Sequence, residues 1–271
     1  MLALSVVVAG CATGPSSGAG DGTPATAPPT STPASSPTTA APQPADQCGA
    51  PTTQAEAFWL SGQDGAWWQA AVVGTGPDTA VFIHESGTQG LCGFWPYADW
   101  LASAEGVRSV LFNQCTYGAS QCAAIDEAGE WIAATEAAVA WARDHGAARV
   151  TIVGASAGGV VALHAATSIT PRVDAVVNLS GELSWSGLDS VASAKRLDTA
   201  ALFAIAPGDR YITVDEMQSV YQAASAAPNQ LVVLPDGAGH GWQMLTDASG
   251  SGWSPLATTM ANWIHGSRKL V

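Results

Sequence analysis

Basic residues are scarce in this sequence. Nine Lys and Arg stand against 22 Asp and Glu among 271 residues, and the formal net charge is −13 with a pI near 4.4. The nine basic residues form no cluster, so no surface is predicted on which the phosphates of a nucleic acid would be neutralised. We therefore expect no nucleic-acid partner. An acidic protein surface is also not attracted to anionic lipid headgroups, so any membrane association should depend on an anchor.

Metal-binding patterns are lacking as well. The five Cys include no C-x-x-C pair and the five His are scattered singly, whereas structural zinc sites draw on closely spaced Cys and His. We expect neither a metal nor a cofactor. Charged residues make up only 11% of the chain and apolar residues 47%, against roughly 25% charged residues in an average domain. The sequence therefore has ample apolar material for one large core.

The N-terminus is an apolar run over residues 1–10 that ends in Val8-Ala9-Gly10-Cys11. This end resembles the lipobox of bacterial lipoproteins, in which a signal peptide is removed just before a cysteine that carries the lipid. The resemblance implies a signal peptide with lipobox over residues 1–11, lipid attachment at Cys11, and anchoring to the outer face of the bacterial cell membrane. No Lys or Arg precedes the short run, which leaves open a start upstream of Met1 and an ordinary secretion signal.

Residues 12–47 are dominated by Pro, Thr, Ser, Ala and Gly and contain almost no large apolar side chain. Such a segment cannot bury enough surface to offset the entropy lost on ordering. We predict a disordered tether that spans roughly 35 Å as a flexible coil or about 110 Å as extended polyproline. One folded domain should follow over residues 48–271.

Four cysteines remain within that domain, an even number in a chain with the features of an exported protein. Two disulfides are expected, because disulfides persist in oxidising compartments. Cys115 and Cys122 bracket a short loop rich in small polar residues, which favours pairing them and leaves Cys48 to pair with Cys92. Three connectivities remain open from the sequence.

The order of predicted elements indicates an α/β fold. Two β-prone runs separated by Asp64-Gly65 predict an antiparallel hairpin, and strands and helices alternate after it. A mostly parallel central sheet covered by helices on both faces is therefore expected. The predicted strands are 55–61, 66–74, 79–84, 108–113, 149–153, 172–179, 200–206 and 230–234, and the predicted helices are 95–104, 126–145, 157–167, 213–226 and 255–265. The helix 213–226 is expected to open with a capping box, Thr213-Val214-Asp215-Glu216.

A candidate nucleophile lies between one of these strands and the next helix. The segment Gly154-Ala155-Ser156-Ala157-Gly158 fits G-x-S-x-G, and small flanking residues let the backbone turn sharply enough to present a Ser hydroxyl. A Ser hydroxyl needs a base, and His240 stands between two Gly directly after the last strand. Asp209 follows the strand 200–206 in a turn, where its carboxylate would orient the imidazole.

The order Ser156, Asp209, His240 resembles that of the α/β-hydrolases, in particular serine esterases and proteins similar to dienelactone hydrolase. Some members of that fold carry the acid one strand earlier, which makes Glu182 the alternative to Asp209. The resemblance also implies an oxyanion hole built from the backbone N–H groups of Ala157 and Ser86. Glu85 departs from the family pattern, which has Gly there, and a carboxylate at this place would repel an oxyanion unless it points away.

The resemblance implies cleavage of a carboxylic ester of a small molecule through an acyl-enzyme. The same residues would serve a thioesterase, a peptidase or an acyltransferase, and a non-catalytic binding lipoprotein on the same fold is the alternative of another class. The connection over residues 180–199 is too short for a lid domain, so the site should be open. Trp95, Trp185 and Trp242 are candidates for an apolar acyl pocket. No exposed apolar stripe indicates an oligomer.

Overall fold

The computed structural model describes residue 37 and residues 39–50, 53–62, 65–123, 125–224 and 228–269. The predicted signal segment, the lipid site Cys11 and most of the predicted tether lie outside these residues. Within the part of the chain that the structure describes, no helix combines the length and the apolar character needed to cross a bilayer.

The end of the predicted tether packs against the domain, which corrects the boundary at residue 48. The Trp59 indole N–H donates to the Thr39 carbonyl at 3.0 Å, and the Gln69 side-chain amide donates to the Pro42 carbonyl at 3.3 Å. A single helical turn, α1 (Ala45–Cys48), follows. Backbone carbonyls need no large side chain to find a partner, so composition alone did not indicate this contact.

Eight strands form the central sheet, and a separate pair forms a small hairpin. In the part of the chain that the structure describes, the strands in chain order are β1 (Ala55–Ser61), β2 (Trp67–Val73), β3 (Asp78–Ile83), β4 (Arg108–Phe112), β5 (Arg149–Ala155), β6 (Ala175–Leu179), β7 (Ser184–Trp185), β8 (Leu188–Asp189), β9 (Ala200–Ile205) and β10 (Asn229–Val233). The sheet order is β1-β2-β4-β3-β5-β6-β9-β10. The β1–β2 and β2–β4 pairs are antiparallel and all other pairs in the sheet are parallel. The mostly parallel α/β fold predicted from the sequence is confirmed.

Helices cover both faces of the sheet. They are α2 (Trp95–Trp100, continued by a π-helical turn at Leu101–Glu105), α3 (Glu127–Asp144), α4 (Ala157–Ala166), α5 (Ser190–Arg196), α6 (Val214–Ala223) and α7 (Pro255–Ile264). Buried residues of α3, α4, α5 and α6 pack in one core cluster, and those of α2 and α7 pack in another. The predicted capping box at the start of α6 is present, with Thr213 and Glu216 bonding each other's backbone N–H.

The connection between β6 and β9 contains more structure than the sequence indicated. The β7–β8 hairpin and α5 occupy residues for which the sequence predicted no strand or helix. The hairpin pairs only two residues on each strand, too few for a periodic pattern to be visible in the sequence. As expected, this short connection forms no separate lid domain.

The described residues contain two disulfides, with the connectivity that the sequence favoured among three. Cys48 is bonded to Cys92, and Cys115 is bonded to Cys122. The Glu130 carboxylate lies near the second pair, but two sulfurs bonded to each other are not the thiolates that a metal requires.

The sheet topology brings the predicted site residues to one edge. Strands β3 and β5 are neighbours, but the chain leaves β3 toward β4 on one side and leaves β5 toward β6 on the other. Ligands of open α/β sheets bind beside such a switch point, at the carboxyl ends of the strands. The loop 84–87, Ser156, Glu182, Asp209 and His240 all follow the carboxyl ends of parallel strands.

Candidate active site

Ser156 sits in a strained turn between β5 and α4. Its backbone φ is +52° and its ψ is −125°, a conformation that costs a non-glycine residue about 1–3 kcal/mol and is held only by its surroundings. Gly154 and Gly158 make this turn possible. A Cβ atom on Gly154 would lie 2.0 Å from the Gly158 carbonyl oxygen, and one on Gly158 would lie 2.4 Å from the Ile83 carbonyl oxygen. The G-x-S-x-G spacing is therefore required by close backbone packing.

Asp209 and His240 form a hydrogen-bonded pair. The His240 Nδ1 atom lies 2.7 Å from Asp209 Oδ2, and the Asp209 side chain is fully buried while that of His240 is 15% exposed. Asp209 accepts a hydrogen bond, so Nδ1 carries the proton and Nε2 presents its lone pair. Nε2 is buried and has no hydrogen-bond partner among the described residues. This is the arrangement that a general base needs before substrate arrives.

The Ser156 hydroxyl has a different partner in this structure. It donates to Glu182 Oε1 at 3.4 Å, and Ser156 is 4% exposed. Glu182, the alternative acid in the sequence, thus contacts the candidate nucleophile and not the candidate base. Free enzymes often hold catalytic hydrogen bonds that are long or misaligned and that tighten only when substrate binds.

Glu85 lies in the loop that would hold an oxyanion and is hydrogen-bonded to the loop that carries His240. Its Oε1 atom accepts a hydrogen bond from the Trp242 backbone N–H at 3.2 Å, at the start of the 3₁₀ turn Gly241–Leu245 that follows His240. Burial raises the pKa of this carboxyl from 4.5 to about 7, and the nearby His240 opposes that rise. Glu85 therefore links the loop after β3 to the loop that carries His240.

We expect a Glu85→Gln variant to gain stability over wild type as the pH rises. Unfolding returns the Glu85 pKa toward 4.5, so between pH 4.5 and about 7 the folded protein holds a proton that the unfolded chain has released. Wild type therefore loses stability as pH rises through this window. Relative to wild type, the variant should be about 2 kcal/mol more stable at pH 8 than at pH 5, allowing for partial solvent screening. Urea unfolding at both pH values measures this, and an unchanged difference would contradict it.

His84 supports the loop after β3 and stays neutral. Its Nδ1–H donates to the Glu85 carbonyl at 2.5 Å, and its Nε2 accepts from the Gln114 backbone N–H at 3.0 Å. Full burial lowers its pKa to about 4.

The two residues expected to form an oxyanion hole are Ser86 and Ala157. Ser86 is exposed. Ala157 is the first residue of α4, where the backbone N–H has no partner within the helix.

A cleft of about 410 Å³ opens beside His240 and contains residues that the sequence did not single out. Arg210, Tyr211 and Gln243 line it together with Glu85 and Asp209. The Tyr211 ring is 65% exposed and its centroid lies 4.7 Å from that of His240. Gln243 Oε1 accepts from the His240 backbone N–H at 3.3 Å. The only sequence signal for Tyr211 was its place two residues after Asp209.

The three tryptophans expected to form an acyl pocket are packed elsewhere. Trp95 is 3% exposed and its indole N–H donates to the Gly49 carbonyl. Trp185 packs against Trp131 at 4.6 Å and Trp242 against Phe94 at 5.8 Å. The described residues that line the cleft beside His240 include none of the three rings. Burial of a large apolar ring stabilises the fold more than burial of a smaller side chain. This stabilisation accounts for the packing of the three rings.

No protein-family model matches the chain, and no curated protein matches it in sequence. Solved structures do match. An esterase from Pyrococcus furiosus aligns with a TM-score of 0.66 at 15% identity, over 83% of this chain and 93% of that chain. A dienelactone hydrolase from Anabaena variabilis aligns with a TM-score of 0.61 at 18% identity, over 79% and 98%. The thioesterase domain from the curacin biosynthetic pathway aligns with a TM-score of 0.59 at 13% identity, over 78% and 99%.

These proteins differ in the bonds they act on but share one architecture, and each aligns along nearly its whole length. At such low identity the likeness concerns the fold and not the substrate. The strand order, the parallel pairing and the helices on both faces of the sheet agree with it. The chain therefore has the α/β-hydrolase fold.

Proposed function

We propose that this protein is a serine hydrolase that cleaves carboxylic esters through an acyl-enzyme. The observation that carries the proposal is the Asp209–His240 pair at 2.7 Å, with the second imidazole nitrogen buried and unpartnered. A strained turn presents the Ser156 hydroxyl at the same edge of the sheet. A hydroxyl, a base and a carboxylate that orients the base are the parts that nucleophilic catalysis by serine requires.

In the proposed reaction, Ser156 Oγ attacks the ester carbonyl and His240 Nε2 takes the hydroxyl proton. Asp209 stabilises the imidazolium that forms, and the imidazolium then protonates the departing alcohol. Water then attacks the acyl carbon as it gives a proton to Nε2, and the imidazolium returns that proton to Ser156 Oγ as the acid leaves. The backbone N–H groups of Ala157 and Ser86 are proposed to stabilise the oxyanion. The hydrogen bond between the Glu85 carboxylate and the Trp242 backbone N–H is proposed to keep this charge away from the oxyanion.

One rearrangement must precede the attack. The Ser156 hydroxyl has to leave Glu182 and turn toward His240. The 3.4 Å contact with Glu182 is longer than the 2.7–2.8 Å typical of a hydroxyl bond, so little free energy is lost when it breaks. We propose that a rotation of the Ser156 side chain between staggered rotamers brings about this change.

An ester is favoured as the substrate by the character of the cleft and by the structural relatives. The cleft is open and lined mainly by polar groups, and two of the relatives are named an esterase and a dienelactone hydrolase. The alcohol of an ester leaves more readily than the amine of a peptide. The thioesterase relative keeps a thioester as the second candidate.

Covalent labelling tests the proposal most directly. Diethyl p-nitrophenyl phosphate should phosphorylate wild type once per chain, on the peptide that contains Ser156, and should stop hydrolysis of p-nitrophenyl butyrate. Ser156→Ala should neither bind the probe nor hydrolyse the ester. Ser180→Ala is the matched control, because Ser180 is a neighbouring buried serine at positive φ that contacts Met244 instead of the site. Absence of both turnover and labelling in folded wild type would favour a non-catalytic binding protein.

A further inference from the structure

Glu182 is a carboxylate beside the candidate nucleophile that the proposed reaction does not use. Its Oε1 atom lies 3.4 Å from Ser156 Oγ, and Asp209 already occupies His240 Nδ1. No Lys, Arg or His lies within ion-pair distance of the Glu182 carboxylate among the described residues. Among the described residues, the Ser156 hydroxyl is the hydrogen-bond donor that contacts the Glu182 carboxylate.

The backbone around Glu182 is fixed to the turn that holds Ser156. The Ser156 N–H donates to the Leu179 carbonyl at 3.0 Å. The Asn178 side chain accepts from Gly181 N–H at 2.7 Å and donates to the Gly159 carbonyl at 3.3 Å, which joins the two turns. On the far side of Glu182, the Ser190 hydroxyl donates to its carbonyl at 2.5 Å. These hydrogen bonds hold the backbone at Glu182, so a backbone shift cannot move its carboxylate away from Ser156.

Acylation removes the hydrogen-bond donor that Glu182 has in the free enzyme. When Ser156 Oγ bonds to the acyl carbon, its proton moves to His240 and then to the departing alcohol. The ester oxygen left behind can only accept hydrogen bonds, as can the carboxylate. The Glu182 carboxylate, 3.4 Å from the oxygen that carries the acyl group, can then accept a hydrogen bond from a donor on the acyl chain.

We infer that Glu182 selects the acyl group. The preferred substrates are esters whose acyl chain carries a hydroxyl or an ammonium group within a few bonds of the carbonyl, where it replaces the lost Ser156 proton as the donor to Glu182. Acyl chains with a carboxylate at that distance are disfavoured, since two carboxylates would face each other without a cation. This inference rests on the proposed esterase function and narrows its substrate class.

A set of ethyl esters with four-carbon acyl chains tests the inference. Ethyl butyrate is the neutral reference, ethyl 3-hydroxybutyrate and ethyl 3-aminobutyrate add a donor, and monoethyl succinate adds a carboxylate. Measured by ethanol release, kcat/KM should be about tenfold higher for the donor-bearing esters than for butyrate, as expected for a hydrogen bond to a charged group. Monoethyl succinate should be about tenfold poorer than butyrate. If kcat/KM rises equally for the hydroxyl and the ammonium ester relative to butyrate, hydrogen bonding is the property that Glu182 selects. If kcat/KM rises for the ammonium ester alone, charge is that property.

Two variants assign the preference to Glu182. Glu182→Gln should bring succinate and aminobutyrate to within about threefold of butyrate, because the amide keeps the shape and loses the charge. Glu127→Gln is the matched control, since Glu127 accepts from Ser186 in the same connection without contacting Ser156, and it should keep the wild-type order. Should Glu182→Gln fail to fold, Glu182→Ala is the second variant, and it should likewise bring succinate and aminobutyrate to within about threefold of butyrate.

The outcomes separate this inference from the proposed function. Suppose that hydrolysis of ethyl butyrate depends on Ser156 but that wild type has the same kcat/KM for monoethyl succinate as for ethyl butyrate. This result would overturn the inference and leave the esterase proposal intact. The same holds if Glu182→Gln folds and keeps the full wild-type preference. Failure of every ester together with no labelling of Ser156 would overturn both.

Discussion

An Asp209→Asn variant is expected to hydrolyse ethyl butyrate about 10⁴-fold more slowly than wild type at neutral pH. The Asp209 side chain is fully buried and accepts the Nδ1 proton of His240 at 2.7 Å. An amide in its place would offer its NH₂ group to Nδ1 and favour the tautomer with the proton on Nε2. The imidazole could then no longer take the Ser156 proton, and its cation would lose its stabilising charge. The loss should appear in kcat, because the group acts on the transition state and not on substrate binding.

Glu182→Gln is the matched comparison for this prediction. Both replacements turn a carboxylate into an amide of the same shape, and both residues follow neighbouring parallel strands at the same edge of the sheet. Glu182 contacts Ser156 and not His240, so its replacement should change kcat for the neutral butyrate by less than about tenfold. A loss of about 10⁴-fold in Glu182→Gln with a mild effect in Asp209→Asn would reverse the assignment of the acid. Unfolding curves of both variants should first show that each is folded.

Features that depend on local pattern could be predicted from the sequence. The alternation of apolar strands and helices predicted the parallel sheet, and the Thr213–Glu216 pair predicted the start of α6. The short loop between Cys115 and Cys122 favoured the two disulfides that the structure contains, although the sequence left three connectivities open. The turn at Ser156 was predictable because close packing requires glycine at both Gly154 and Gly158.

Features that depend on contacts between distant parts of the chain could not be predicted. Glu85 bonds the Trp242 backbone 157 residues later, and Glu182 contacts Ser156 across two adjacent strands. Nothing in the residues around either glutamate indicates the direction of its side chain. The same limit explains the three tryptophans, since a large apolar ring in a loop is equally compatible with the core and with a pocket.

Gly158→Ala is expected to destabilise the protein by at least about 3 kcal/mol and to lower the kcat/KM of the remaining folded protein at least about 100-fold. The added Cβ atom would lie 2.4 Å from the Ile83 carbonyl oxygen and 2.5 Å from that of His84. Both are backbone atoms at the end of β3, which is paired with β4 on one side and β5 on the other. Because β3 cannot shift, α4 must move away, taking with it the Ala157 N–H proposed for the oxyanion hole. Urea unfolding and ester kinetics measure the two effects.

Gly87→Ala is the control for this prediction, in the loop that follows the same strand. A Cβ atom on Gly87 would meet no heavy atom within 4 Å, so the variant should differ from wild type by no more than about 0.5 kcal/mol. If Gly158→Ala unfolded at the same urea concentration as wild type, the prediction would be wrong. The backbone between β3 and α4 would then accommodate a Cβ atom without a measurable loss of stability. A large stability loss with unchanged kinetics would instead separate the packing role of Gly158 from the geometry of the oxyanion hole. Loss of both, with Gly87→Ala unaffected, would tie the Ser156 turn and the proposed catalysis to the same backbone contact.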